Sequence, residues 1–255
     1  MVNVSIVTYN TPQEELDRLM AVLRAAQAAG TVQDIEVIDN GAGVNRGYGA
    51  AHNIALRKTL ASDVQYHLVV NADVYFDPKV LEELSRYMGH HPEAGLIMPR
   101  VTYPDGRLQY LCKLLPTPLD LFGRRFLPKN VAEKRNRLFE MRFSGYDRVM
   151  NVPYLSGCFM FLRVSALRET GLFDERFFLY PEDIDLSRRI HSRYQTIYYP
   201  HCTIIHAHKQ GSYHSVRLLW VHCVNICKYF NKWGWWFDSE RKRVNEETIS
   251  LYRQR

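Results

Sequence analysis

Short apolar runs alternate with helically spaced ones through the first hundred residues. "VNVSIVTYN" (2–10) has the character of a strand, and the segment after it predicts a helix with Thr11 as N-cap, Pro12 at the first helical position and Glu14 completing a capping box. Leu16, Leu19 and Leu23 share one face of that helix, and Gly30 is placed to stop it. "DIEVIDN" (34–40), a glycine-rich loop, a helix around 48–60 and the apolar run "YHLVVNADV" (66–74) follow. Asp77 and Pro78 then open a helix with Leu81, Leu84 and Met88 on one side. This alternation predicts an α/β fold with a mostly parallel sheet and right-handed crossovers. Ligands of such sheets sit beyond the carboxyl ends of the strands. "TYN" (8–10), "DNGAG" (39–43) and "NADV" (71–74) are therefore expected to form three lips of one crevice.

Residues 103–150 differ in character. Pro104, Pro116, Pro118 and Pro128 stand among Arg124, Arg125, Lys129, Lys134, Arg135, Arg137 and Arg142, which predicts a long, partly helical excursion. "GCFMFLRV" (157–164) then reads as a buried strand, "YPEDIDLSRRI" (180–190) as the start of a helix, and "TIYYP" and "CTIIHAH" as two short strands. From about Ser215 an amphipathic helix is expected, followed by an aromatic, basic end. The division is an α/β unit over 1–214 and a helical extension over 215–255.

Composition narrows the function classes. With 46% hydrophobic and 24% charged residues the 255-residue chain is an ordinary globular protein, which excludes disorder. Its net charge of +6 favours an anionic partner: nucleic acid, a phosphorylated small molecule or a membrane surface. Five cysteines without small-scaffold spacing and an N-terminus without a cleavable apolar segment predict a reduced, cytoplasmic protein. Apolar runs fall short of the roughly eighteen residues of a membrane span.

Four motifs carry candidate chemistry. "GAGVNRGYGAAHN" (41–53) fails the dinucleotide register, because the sixth position is Arg46 counted from Gly41 and His52 counted from Gly47. It is either a tight loop feeding a helix or a contact for phosphate or sugar through its N–H groups and Arg46. Asn71 and Asp73, two apart at a strand end, could face one ion or one ribose; a lone carboxylate with substrate phosphates is a usual way to hold Mg²⁺ or Mn²⁺. Glu182, Asp183 and Asp185 complement a helix N-terminus, yet they follow the apolar "RFFLY", where desolvation suits a carboxyl to acid–base work. His206 and His208 share a strand face as metal ligands do, or serve as hydrogen-bonded surface groups. Cys223 and Cys227 lack a second pair with zinc spacing and read as core filler.

In this order, "VSIVTYN", "EVIDNGAGVNRGYGAAHNIALR", "VVNADVYFDP", "SGCFMFLRVSAL", "GLFDERFFLYPEDIDLSRRI" and "IIHAHKQGSYHS" resemble the family 2 glycosyltransferases of the bacterial branch that builds O-antigen and capsule chains. The likeness spans about residues 1–237, and "LYPEDIDLSRRI" with "KYFNKWGWWFD" is most similar to the rhamnosyltransferases of that branch. The resemblance implies a GT-A type nucleotide-sugar fold. It implies that Thr8, Tyr9, Asn10, Asp39 and Asn40, with Arg46 and Asn71, serve the donor. Asp73 becomes the metal-binding acid of a D-x-D-like motif whose first position is Asn71, and His206 the histidine near the diphosphate. Asp183 becomes the catalytic base, with Glu182 and Asp185 in support.

The reaction so implied is an inverting transfer from a nucleotide sugar, with dTDP-L-rhamnose as the leading donor, to a saccharide hydroxyl on a polyprenyl-diphosphate-linked acceptor. The expected cofactor is a divalent metal, and nucleic acid is not an expected partner. Two rivals stand beside this reading. A sugar-nucleotide pyrophosphorylase would carry a glycine-rich phosphate loop after the first strand, where this chain has "TYNTPQEE". A non-catalytic membrane- or polyanion-binding protein would explain the basic residues but not the three polar lips. Trp220, Trp233, Trp235 and Trp236 with Lys228, Lys232, Arg241, Lys242 and Arg243 fit a belt on an anionic membrane at its inner face, or equally a helix packed on the core or a dimer contact.

Overall fold

The computed structural model describes residues 1–122, 127–207 and 216–253; Arg124, Arg125 and His208 lie outside the described residues. The elements run β1 (Val2–Thr8), α1 (Gln13–Ala28), β2 (Val32–Asp39), α2 (Tyr48–Leu60), β3 (Tyr66–Asn71), β4 (Val74–Tyr75), α3 (Lys79–His90) and β5 (Ala94–Thr102). Next come β6 (Cys112–Lys113), α4 (Pro118–Phe122), α5 (Lys129–Phe139), β7 (Met150–Asn151), β8 (Tyr154–Leu155), β9 (Phe159–Arg163) and α6 (Val164–Thr170). The chain closes with α7 (Pro181–His191), β10 (Gln195–His206), α8 (Val216–Trp233) and α9 (Ser239–Tyr252).

The main sheet has the order β2-β1-β3-β9-β5-β10-β4, with β7 paired to β10. β1 is parallel to β2 and β3, and β10 to β5, as the alternating pattern requires. β9 runs antiparallel to both β3 and β5, and the short β4 and β7 pair antiparallel with β10. β9 starts where β3 ends, with Asn71 N–H donating to Cys158 O at 3.0 Å. That reversal brings Gly157 and Cys158 to the crevice. β6 and β8 form a small separate antiparallel sheet beside it.

Two local expectations are corrected. α1 begins at Gln13 without a side-chain cap, so the capping box does not form. The tight turn at Asn10 (φ 51°) instead sets the Thr11 hydroxyl against the Tyr9 N–H at 3.2 Å. "TIYYP" and "CTIIHAH" belong to one strand, β10, whose register against β5 slips between Tyr199 and Thr203. Pro200 lies in that interval and has no N–H to give to the ladder.

The core lies between the sheet and its helices. Leu19 and Leu23 of α1 and Leu81, Leu84 and Met88 of α3 are fully buried against strand residues such as Ile6, Leu68, Phe159 and Phe161. The C-terminal segment forms two helices, and both pack inward through Ile226, Tyr229, Phe230 and Val244. Arg188 of α7 fixes their connection, donating to Asp238 at 2.7 Å and to Glu240 at 2.7 Å while lying 4.1 Å from the Trp233 ring. Among the described residues no helix is long and apolar enough to cross a membrane.

Candidate active site

The start of α7 is built with backbone strain. Tyr180 precedes the helix at φ 88°, a region that a tyrosine adopts only when held there, and Pro181 takes the first turn, where its missing N–H costs nothing. The hold comes from both sides. Tyr48 N–H donates to Phe178 O at 3.0 Å, Asn225 Nδ2 donates to Leu179 O at 3.0 Å, and the His222 ring lies 4.4 Å from that of Tyr180. Gly47 makes the first contact possible: its φ is 84°, and a Cβ there would stand 2.2 Å from Phe178 O.

Asp183 thereby faces a cavity of about 760 Å³. Its Oδ2 accepts from Gly157 N–H at 2.9 Å and from Tyr154 O–H at 3.1 Å, while Oδ1 accepts from Ile184 N–H at 2.8 Å. Burial raises its pKa above the usual carboxylate value, and the bonds from Gly157, Ile184 and Tyr154 with the positive field of Lys113 only partly offset this. A fixed carboxylate with raised proton affinity, open to a cavity, suits a general base.

Glu182 also lines the cavity wall, but it is buried, and among the described residues its Oε2 has no hydrogen-bond partner. Burial and the neighbouring Asp183 charge push its pKa well above the usual glutamate value. Asp185 is not brought to the cavity. Two residues along a helix point to opposite sides, and Asp185 is fully buried between Arg189 (2.8 Å), Lys232 (2.6 Å) and the Trp233 indole N–H (2.8 Å). The expected supporting acid is a structural group that ties α7 to α8.

The second pole lies at the ends of β3 and β10. His206 Nε2 stands 3.4 Å from Asp73 Oδ1, and His206 Nδ1 is bonded to Gln109 Oε1 at 2.9 Å. Since an amide oxygen accepts, Nδ1 carries the proton and Nε2 is turned toward Asp73. Burial works to lower the imidazole pKa, but Cys158 and Asp73 outweigh it and push it up to about 10. A divalent ion would have to displace the Nε2 proton, after which this carboxylate and the oriented imidazole nitrogen could hold it with phosphate and water as its other ligands. Asn71, the motif's first position, accepts the Tyr48 O–H at 3.0 Å, and the same hydroxyl lies 2.7 Å from Gly157 O.

A sequence model decides the family. The one described as Glycosyl transferase family 2 matches residues 15–171, more than half of the chain. This chain belongs to glycosyl transferase family 2. The enzyme is a glycosyltransferase, and its matched span runs from α1 to α6, with Asp183 and His206 beyond it. It is 29% identical, over 246 residues, to the N-acetylglucosaminyl-diphospho-decaprenol L-rhamnosyltransferase of Mycobacterium tuberculosis strain H37Rv, covering 82% of this chain and 77% of that one. Its fold is similar to S. aureus TarS 1-349 in complex with UDP, with a TM-score of 0.56 at 13% identity, covering 97% of this chain and 70% of that one. It is also similar to GalNAc-T7 with UDP, GalNAc and Mn²⁺, with a TM-score of 0.59 at 15% identity, covering 97% and 54%. These likenesses show the GT-A fold.

In this glycosyltransferase Asn71, Glu182, Asp183 and His206 line the cavity. Thr8, Tyr9, Asn10, Asp39 and Arg46 stand at the ends of β1 and β2 and in the loop after them, outside its lining. Tyr9 is 56% exposed, an open aromatic face beside β1. Asn40 is buried and organises the loop, donating to Asn45 Oδ1 and Gly47 O and accepting from Arg46 N–H at 2.9 Å. Asp39 accepts from Gly41 N–H at 2.8 Å. Tyr48, Gln109, Lys113, Tyr154 and Gly157 were not singled out by sequence. Of these only Tyr48 carried a local signal, an aromatic between two glycines; the others reach the site through tertiary pairing. A second hollow, of about 420 Å³, sits at the other end of β3, and its Arg163 and Arg168 are bonded to main-chain carbonyls.

Proposed function

We propose that this glycosyltransferase transfers L-rhamnose from dTDP-L-rhamnose, with inversion, to a hydroxyl of a saccharide linked through diphosphate to a polyprenyl lipid. The observation that carries the reading is that one fixed carboxylate, Asp183, lines the same cavity as His206, whose ring is paired with Asp73 just outside the lining. The activity named for the mycobacterial relative supports the choice of sugar and acceptor.

The acceptor hydroxyl attacks the anomeric carbon as the bond to the nucleoside diphosphate breaks, and Asp183 takes its proton. One displacement inverts the centre. A second catalytic carboxylate is not needed, since the diphosphate is already an activated leaving group. Tyr154 and Gly157 hold Asp183, and Gln109 orients His206. Asp73 and His206 would hold Mg²⁺ or Mn²⁺, whose contribution is to neutralise the departing diphosphate.

On the same reading the protein works at the inner face of a membrane. Trp220, Trp236 and Phe237 are exposed and support attachment there, with the last two on a turn whose carbonyls are held by the buried Arg241. Of the expected belt, Trp233 donates to the buried Asp185 and Lys232 pairs with Asp174 and Asp185, while Lys228, which is exposed, donates to Arg176 O.

The test is transfer from dTDP-L-rhamnose to a short-chain prenyl diphospho-N-acetylglucosamine, with and without EDTA, and product configuration read by NMR. A product that retains the donor's anomeric configuration, or turnover with every acceptor except the diphospholipid, would rule the reading out.

A further inference from the structure

Tyr48, the first residue of α2, touches both elements that place Asp183. Its N–H donates to Phe178 O at 3.0 Å, on the strained approach to α7. Its hydroxyl lies 2.7 Å from the carbonyl of Gly157, the residue whose N–H donates to Asp183 Oδ2. The half-buried ring stands edge-on to His52 at 4.5 Å and to Phe173 at 6.3 Å, which fixes the direction of the phenol.

The same hydroxyl lies 3.0 Å from Asn71 Oδ1. A phenol has one proton, so as an acceptor Asn71 competes for it with Gly157 O. A main-chain carbonyl can only accept, whereas a half-turn of a carboxamide puts an NH2 group where its oxygen stood. Both bonds form together when Tyr48 donates to Gly157 O and Asn71 Nδ2 donates to the phenolic oxygen. Asn71 also gives its own N–H to Cys158 O at 3.0 Å. The end of β3 is thus joined to the turn beneath Asp183 twice, once by backbone and once through Tyr48.

An aspartate at position 71 would break this arrangement. A carboxylate only accepts, and a charged acceptor outcompetes a neutral carbonyl for a single proton. Tyr48 would turn to it, and Gly157 O would lose the bond.

We propose that Tyr48 is a positioning residue: its bond to Gly157 O holds the turn that fixes Asp183, and the D-x-D-like motif begins with Asn71 because an amide can donate to Tyr48 where a carboxylate cannot. The assignment rests on Asp183 as the base in the reading above and adds what keeps that base aligned with the end of β3.

The test follows the Asp183 carboxyl by carbon NMR titration, its signal identified by its loss in Asp183→Asn, in the unmodified protein, Tyr48→Phe, Asn71→Asp and the double variant. The charged groups facing Asp183, Glu182 beside it and Lys113 on β6, are the same in each. The Gly157 bond lowers the proton affinity of Asp183, so in Tyr48→Phe the carboxyl should titrate about one pH unit higher, and the acid limb of the kcat profile should move up with it. Asn71→Asp should reproduce the rise, and the double variant should show no more than either single change, since both remove the same bond. If Tyr48→Phe lowers stability but leaves the Asp183 titration in place, Tyr48 is only structural and the assignment fails. Rises that add in the double variant would come from the new charge at position 71 and would overturn the role given to Asn71. The titration needs no substrate, so it judges this coupling whether or not transfer to the proposed acceptor is observed.

Discussion

Gly157 N–H donates to Asp183 Oδ2 at 2.9 Å, and a Cβ on Gly157 would lie 3.1 Å from the Asp183 Cβ. The missing side chain and the hydrogen bond together fix where the carboxylate stands. Gly157 is not among the positive-φ glycines, so alanine is conformationally acceptable there. Gly157→Ala should fold and still displace Asp183, lowering kcat by about ten- to 10²-fold with donor binding retained. Steady-state kinetics beside a donor thermal-shift titration separate the two effects.

Glu182 supplies a stability test. Its folded-state pKa lies above the ordinary glutamate value, so the native state holds a proton that the unfolded chain has released. Stability from this group is present at low pH and lost as pH rises through that interval. Glu182→Gln keeps the shape without the titration, and its melting temperature should gain on that of the parent as pH is raised from about 5 to about 8. Parallel melting curves across that range would show that Glu182 is not held neutral.

The acid side belongs to histidines under the sheet. Ser5 Oγ lies 2.7 Å from His52 Nδ1 and 2.8 Å from His67 Nε2, and His67 Nδ1 is 2.7 Å from Thr59 Oγ1. Burial lowers the His67 pKa from 6.5 to about 3 and that of His52 well below its usual value. Unfolding then takes up protons, so this contribution to stability is present above pH 6.5 and lost as pH falls toward about 3. His67→Gln should be less stable at neutral pH, by about 1–3 kcal/mol, and flatter in its acid dependence. Urea titrations at several pH values measure both.

Sequence spacing made much of this visible where the cause is local. The strand–helix alternation, the glycine stop after α1 and the proline-led start of α7 all follow from neighbours within a few residues. The antiparallel β9 did not, since its direction is decided by where the chain re-enters the crevice at Gly157. Asp185 could have been set apart from Asp183 by helical geometry alone, as i and i+2 do not share a face. Tyr154 and Lys113 could not have been, because they meet Asp183 only through the small β6–β8 sheet. The tail tryptophans divided on the same ground: Trp233 is taken by Arg188 and Asp185, contacts that no local pattern announces.

Asp73 and His206 give a donor-side prediction. With Asp73→Ala the imidazole loses its carboxylate partner, and on the proposed reading the diphosphate loses the acid that would hold its metal, so donor affinity should fall about tenfold or more and become insensitive to EDTA. Calorimetric titration of the nucleotide sugar with and without Mn²⁺ reads this directly. Unchanged affinity with full EDTA sensitivity would move the metal elsewhere.

Asp183→Asn is the most direct test of the central claim. Asparagine keeps an oxygen for the Gly157 N–H and the Tyr154 O–H but cannot take a proton. Single-turnover transfer from dTDP-L-rhamnose should fall by about 10²–10⁴-fold while donor binding is preserved. Transfer by Asp183→Asn at the rate of the unmodified enzyme would contradict the assignment of Asp183 as the base.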